Sequence, residues 1–153
     1  MQPFKFRLAT LLRLRSNERD ERRAELGKAY EAAAILKERQ KEIEGEQADL
    51  RRQQGELIGP GQASVEKILH IQRYMLILRV NLTQLAQQQA QVEAEIERRR
   101  LVLVEADRQV RILEKLSEKK LSEYQAEELR QEIRDLDEQA LQGFERQTEG
   151  VVP

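Results

Sequence analysis

The sequence runs to 153 residues with no cysteine, no tryptophan, three prolines and seven glycines, and its 27 basic and 28 acidic groups leave a net charge of −1. Ala, Glu, Lys, Leu and Arg account for 85 of the residues, above the roughly 50% that marks coiled coils and long helices. Aromatics make up only 4% of the chain and mean hydropathy is −0.74, too little bulk for the thick core of most enzyme architectures.

Leu, Ile, Val and Phe together supply 41 residues, above the roughly 20% floor below which a charged chain stays disordered, so the chain is expected to order as a thin, elongated core. The absence of cysteine excludes a disulfide framework, a thiolate metal site and a cysteine nucleophile, and is compatible with a reducing compartment. No window approaches 18 uninterrupted apolar residues. The opening residues place their charges among the apolar positions, unlike a secretory signal. The expectation is a soluble, cytoplasmic protein.

In chain order, the first helix is predicted over about 4–57. Proline occurs only at positions 3, 60 and 153, so nothing breaks that helix before Gly59-Pro60-Gly61, and the turn is placed at 58–62. Gly27, Gly45 and Gly55 lie inside the first helix, each costing about 1 kcal/mol relative to alanine and predicting softness toward the tip. Ser64 is the candidate N-cap of the second helix, predicted over about 63–144, with a tail at 145–153. The whole of 1–153 is read as one all-α domain, an antiparallel coiled-coil hairpin whose second helix overhangs the first.

Alternating steps of four and three trace an apolar seam along each helix. The first carries Leu8, Leu12, Arg15, Arg19, Arg22, Leu26, Ala29, Ala33, Leu36, Gln40, Ile43, Gln47, Leu50, Gln54 and Leu57. The second carries Ser64, Ile68, Ile71, Met75, Leu78, Leu82, Leu85, Gln89, Val92, Ile96, Arg99, Leu103, Ala106, Val110 and Leu113. Both are heptad seams. If the chain reverses at Pro60, facing positions should have a constant sum, and a sum of 121 or 122 matches Leu57 with Ser64, Leu50 with Ile71, Ile43 with Leu78, Ala29 with Val92 and Leu8 with Leu113. In this register Gln40 faces Leu82, Gln47 faces Met75 and Arg22 faces Arg99. Polar seam positions cost stability but fix register. The same pattern also supports a parallel dimer.

At about 1.5 Å per residue the first helix spans on the order of 80 Å and the second about 120 Å, so residues from about 116 to 144 have no partner in the first helix. This overhang has its own apolar stripe, Leu129, Ile133, Leu136, Ala140 and Phe144, out of phase with the seam that ends at Leu113. Such a stripe either takes a partner, as in a larger assembly or a homodimer, or frays. Charge is uneven as well: residues 1–30 carry net +4 and residues 114–153 net −5, a distribution that suits mutual attraction or a bipolar docking surface. Arginine stems at 15, 19 and 22 can cover apolar surface while their heads reach water, Glu18 or Glu25. Near the tip, Leu69, Tyr74, Leu76 and Ile77 lie beyond the seam, either as a second binding stripe or as local thickening of the core against Ile35 and Ile58.

Residues that carry chemistry are sparse. His70 is the one histidine, with no second ligand or nucleophile beside it; no glycine-rich loop cradles a phosphate, and the carboxylates interleave with cations as solvated i,i+4 faces. No catalytic, metal or cofactor site is expected. A balanced charge and a basic N-terminal segment with only Phe4 and Phe6 as aromatics disfavour nucleic-acid binding.

The opening F-K-F-R-L-A-T-L-L-R-L-R at 4–15, E-R-D-E-R-R-A-E-L at 18–26, R-I-L-E-K-L at 111–116, Tyr124 with Glu127 and Glu128, and L-D-E-Q-A at 136–140 resemble the FliJ family of flagellar type III export proteins, over nearly the whole chain. The resemblance implies a two-helix coiled coil similar to that of a rotary ATPase central stalk. It implies a non-enzymatic place in flagellum biogenesis, in contact with the hexameric export ATPase, its regulator and the export gate at the inner membrane, and an escort role for export chaperones. By that analogy the terminal end enters the ATPase ring. The matching blocks Leu113, Glu114, Lys115, Leu116, Tyr124, Leu136, Asp137 and Glu138 fall on or beside the overhang, with Leu129 and Ile133 on its stripe. These are the candidate partner-binding residues, and Tyr74 and Leu76 near the tip are candidates for the gate. Other readings of the same pattern are an injectisome stalk, a generic coiled-coil scaffold or homodimer, and a holdase-like chaperone.

Overall fold

The computed structural model describes residues 2–58 and 64–150. It consists of two long antiparallel helices, α1 over Ala9–Leu57 and α2 over Val65–Glu149, with no strand among the described residues. The predicted turn at Gly59-Pro60-Gly61 lies outside the described residues. Just after it, the Ser64 Oγ accepts from the Lys67 amide at 3.5 Å and the Ser64 carbonyl from the Ile68 amide at 3.2 Å, so Ser64 caps α2. Glu66 in the first turn and Arg146 in the last complement the helix dipole.

Three boundaries differ from the sequence reading. α1 begins at Ala9 rather than at 4, because Phe4, Phe6 and Leu8 alternate with Pro3, Lys5 and Arg7 in the period-two pattern of an extended segment; the first three are half-buried and the others exposed. α2 begins at Val65, and it runs on to Glu149 rather than stopping at 144, since nothing between those positions breaks a helix.

Packing divides the chain into two units, residues 20–105 and residues 1–19 with 106–153. In the first, Ile43, Leu78 and Leu85 form a buried cluster with Leu36, Leu50 and Leu82 packed against it. Leu78 and Leu85 stand two turns apart on α2, about 10 Å, too far to touch one another, so Ile43 joins them by inserting between them. Leu82 therefore lies opposite Ile43. This shifts the expected register by one seam step, which sets Gln40 opposite Leu85 instead of Leu82 and within reach of Gln89 one step beyond, whose Nε2 donates to the Gln40 Oε1 at 2.8 Å. The antiparallel sense shows in further bonds across the pair: Tyr74 to Glu46 at 2.9 Å, and Arg99 to the Glu25 carbonyl at 2.5 Å.

Every seam position except Arg22 is at least partly shielded from water. The expected facing of Arg22 and Arg99 does not occur, since Arg22 turns out to pair with Glu25 at 3.0 Å while Arg99 is held by Glu95 at 2.6 Å and the Glu25 carbonyl. In the other unit Val110 is fully buried, Arg15 pairs with Glu18 at 2.9 Å, and Asp107 accepts from Arg111 at 2.8 Å and lies 4.0 Å from Arg19. Each of these arginine heads thus finds a carboxylate, and the half-buried stems of Arg15, Arg19 and Arg99 cover the seam.

Ile43 is 2% exposed, and Ile43→Ala removes the side chain that joins two layers. A loss of about 3 kcal/mol and a fall in Tm on the order of 8 °C are expected in calorimetry. Gly45 is a useful opposite: an added Cβ there meets nothing within 4 Å. Gly45→Ala should raise stability by about 1 kcal/mol in the same measurement.

Candidate functional site

The candidate residues separate into three groups, which the structure treats differently. Leu113 and Leu116 are half-buried, and Tyr124 is held from two sides. Its ring packs against Phe4 with centroids 5.6 Å apart and planes tilted by 49°, and its hydroxyl donates to the Gln2 carbonyl at 2.6 Å. Residues 116–124, expected to be unpartnered, are therefore covered in part by the extended N-terminal segment. The segment and the helix enclose a groove of about 570 Å³, lined by Phe4, Lys5, Phe6, Arg7 and Leu8 on one side and Leu116, Lys120 and Tyr124 on the other. Glu114 and Lys115 are exposed beside it.

The second group is the free part of α2. Every residue from Leu129 to Gly150 is exposed. Leu129, Ile133, Leu136 and Phe144 keep 50–67% of their surface in water, as does Leu141, which the stripe read from the sequence omitted. At about 100° per residue Leu129, Ile133, Leu136 and Phe144 lie roughly 120–200° around the helix from Tyr124, pointing away from the side on which the N-terminal segment packs, while Leu141, at about 260°, widens the stripe toward the Leu116 side. Asp137 and Glu138 flank it, exposed, and residues 125–149 hold eight acidic and three basic groups. Arg134 is tied to Glu127 at 2.7 Å, and Arg130 to Glu127 at 3.5 Å, which leaves Asp137 and Glu138 on the more acidic half. An amphipathic acidic helix without a partner is a surface made to be covered.

The third group is near the tip. Leu76 is 61% exposed, and Leu69, Ile77 and Val80 stand on the same outer side of α2. Ile35 and Ile58 are exposed too, so these residues do not thicken the core. Tyr74 is exposed but engaged: its hydroxyl donates to the Glu46 carboxylate, and that bond, with the nearby negative charge, holds the phenol above its ordinary value of 10.0. Leu101, Val102 and Val104 form a further exposed apolar run that sequence reasoning passed over; their crowding in Leu101-Val102-Leu103-Val104, where the seam needs only Leu103, was the available signal. Among the described residues no acidic or histidine cluster could hold a metal ion, and no helix is long and apolar enough to cross a membrane.

A seamed hairpin with a bare, acidic helical extension agrees with the outcome of comparison with known families. The family model for the flagellar FliJ protein matches residues 4–149. The chain belongs to the FliJ family. FliJ proteins are non-catalytic components of the flagellar type III export apparatus, which places this chain in that apparatus. No curated protein and no solved structure matches the chain.

The Tyr74 geometry has a titratable signature. In a variant with Tyr30→Phe and Tyr124→Phe, the remaining phenol should ionise above the ordinary tyrosine range by absorbance at 295 nm, and Glu46→Gln should bring it down. Because the folded value is raised, the bond contributes below the ordinary tyrosine pKa and is lost as pH climbs through the raised one.

Proposed function

We propose that this FliJ protein acts as a central-stalk-like element that couples the hexameric export ATPase to the export gate, with the free part of α2 as its ATPase-facing surface. The observation that carries the reading is the overhang: Leu129, Ile133, Leu136, Leu141 and Phe144 form an exposed apolar stripe on a helix with no partner in α1, edged by Asp137 and Glu138. A helix of this kind fits a socket that is apolar within and basic at its rim. The ATPase regulator and export chaperones are further partners in this reading, and the apparatus brings the chain to the flagellar basal body at the inner membrane. The outer patch around Leu76 is the surface assigned to the export gate, with Tyr74, held by Glu46 on another face of α2, as a second contact. Leu113, Leu116 and Tyr124 contribute less directly, because the N-terminal segment already occupies their side of α2.

Co-purification with the export ATPase and measurement of ATP hydrolysis test the assignment. Leu136→Ala, or Asp137→Lys with Glu138→Lys, should reduce stimulation by about tenfold, the consequence of losing roughly 1.4 kcal/mol at the contact, and should leave the Tm within about 1–2 °C because these side chains are exposed. Stimulation equal to wild type in both variants rules the overhang out as the ATPase contact. Leu76→Asp, by contrast, should spare ATPase stimulation and reduce capture of the gate protein.

A further inference from the structure

We propose that residues 2–8 form a displaceable strap, which when closed covers the Leu116–Tyr124 side of α2 and when open hands that side to the partner that takes the overhang. The inference rests on the reading of α2 as the ATPase-facing helix and adds a control step to it.

The strap is built to let go. It is neither helix nor strand from Gln2 to Phe6, and the backbone bonds that lead it into α1 are those of the Ala9 amide to the Phe6 carbonyl at 3.1 Å and of the Leu12 amide to the Leu8 carbonyl at 2.9 Å. Phe4, Phe6 and Leu8 face the helix but stay half-buried; none is withdrawn from water as Val110 is. Its fastening at the far end is one tilted ring contact and one hydrogen bond, both made by Tyr124. A solvent-open groove of about 570 Å³ runs along the strap and α2, so part of the apolar surface of Phe4, Phe6 and Leu8 is left without packing partners. Lys5, Arg7 and Lys120 border that same groove, but Lys5 and Arg7 stay in water and Lys120 is paired with Glu123 at 2.9 Å, so no buried ion pair ties the strap to α2. Segments held by few buried contacts open at far lower free energy than the fold as a whole.

What the strap covers gives its opening a consequence. Tyr124 and Leu116 are the last shielded apolar residues of α2 before the bare stretch that starts at Leu129. With the strap closed a partner can engage only the outer stripe, on the opposite side of the helix. With it open the same helix offers apolar surface on both sides, as a socket enclosing the helix requires. If the open form is a minor one, the apparent affinity of an enclosing partner is reduced by its fractional population, and mutations that free the strap should raise it.

Hydrogen exchange of the full chain and binding to the export ATPase test this together. Phe4→Ala should speed exchange of the Ala9 amide, which the Phe6 carbonyl holds, by about tenfold, leave residues 26–100 unchanged, and tighten ATPase binding by up to about tenfold if the strap is closed nine-tenths of the time. The native chain has no cysteine, so Phe4→Cys with Tyr124→Cys can be bridged by a reducible cross-linker to hold the strap shut. The bridged form should bind the ATPase more weakly than the unbridged form and recover on reduction. Weaker binding by Phe4→Ala, or binding unaffected by the bridge, overturns the strap as a cover and makes it part of the docking surface. Failure of every form to bind the ATPase defeats the stalk reading instead. Exchange then decides the strap alone, and unchanged rates in Phe4→Ala overturn it.

Discussion

The fold depends on one physical constraint: two helices that meet along a single seam have only that seam in which to hide apolar surface. Ile43, Ile71, Leu78, Leu85 and Val110 are buried because they lie on it, and large apolar residues a step aside, such as Ile35 or Leu101, are not. A core one layer thick gains little from each residue and tolerates polar members that a globular core would reject. Gln47 is buried, and Gln89 donates across the pair to Gln40, whose own amide nitrogen donates to Glu44. Arg99 spans the interface to a backbone carbonyl. The charged surface follows from the same constraint, since most of each helix faces water and its cations and carboxylates pair at spacings of three and four.

The helices, their antiparallel pairing and the seam were legible in the heptad steps, because burial of one face imposes that period on the residues. The register was not. A seam stepped by alternating fours and threes matches an inverted copy of itself again after every step, so counting apolar pairs leaves a ladder of equivalent registers. The polar layers select among them: one register sets the Gln40 amide against Leu82, and the one adopted brings it to Gln89. The N-terminal boundary failed for a different reason. Phe4-Lys5-Phe6-Arg7-Leu8 has an alternation that suits extended chain, and it was absorbed into a neighbouring helical pattern that shares Leu8. The candidate surface was readable where it is a bare stripe, at Leu129 to Phe144. It was not where a distant segment folds over it, as at Tyr124, since no local pattern announces a contact across 122 positions.

These features divide the labour along α2. Its early part is occupied by α1 on one side and bares Leu76 and its neighbours on the other. Around residues 116–124 it is covered lightly by a segment without secondary structure. From Leu129 onward it has no cover at all and a surplus of carboxylates. One continuous helix thus offers three grades of accessibility, which suits a component that engages several members of an assembly.

The bare stretch also raises the question of why it is helical. An isolated segment of some twenty-five residues begins a helix at a steep entropic disadvantage, because its first turn fixes three residues for a single bond. Here that turn is already made: the paired region around Val110 hands on a formed helix, and each further residue only extends it. The free end is therefore a borrowed structure, whose order is sustained from behind rather than by contacts of its own. Whatever loosens the pairing near Val110 loosens the exposed stripe as well, so the two ends of that unit are joined by helix cooperativity.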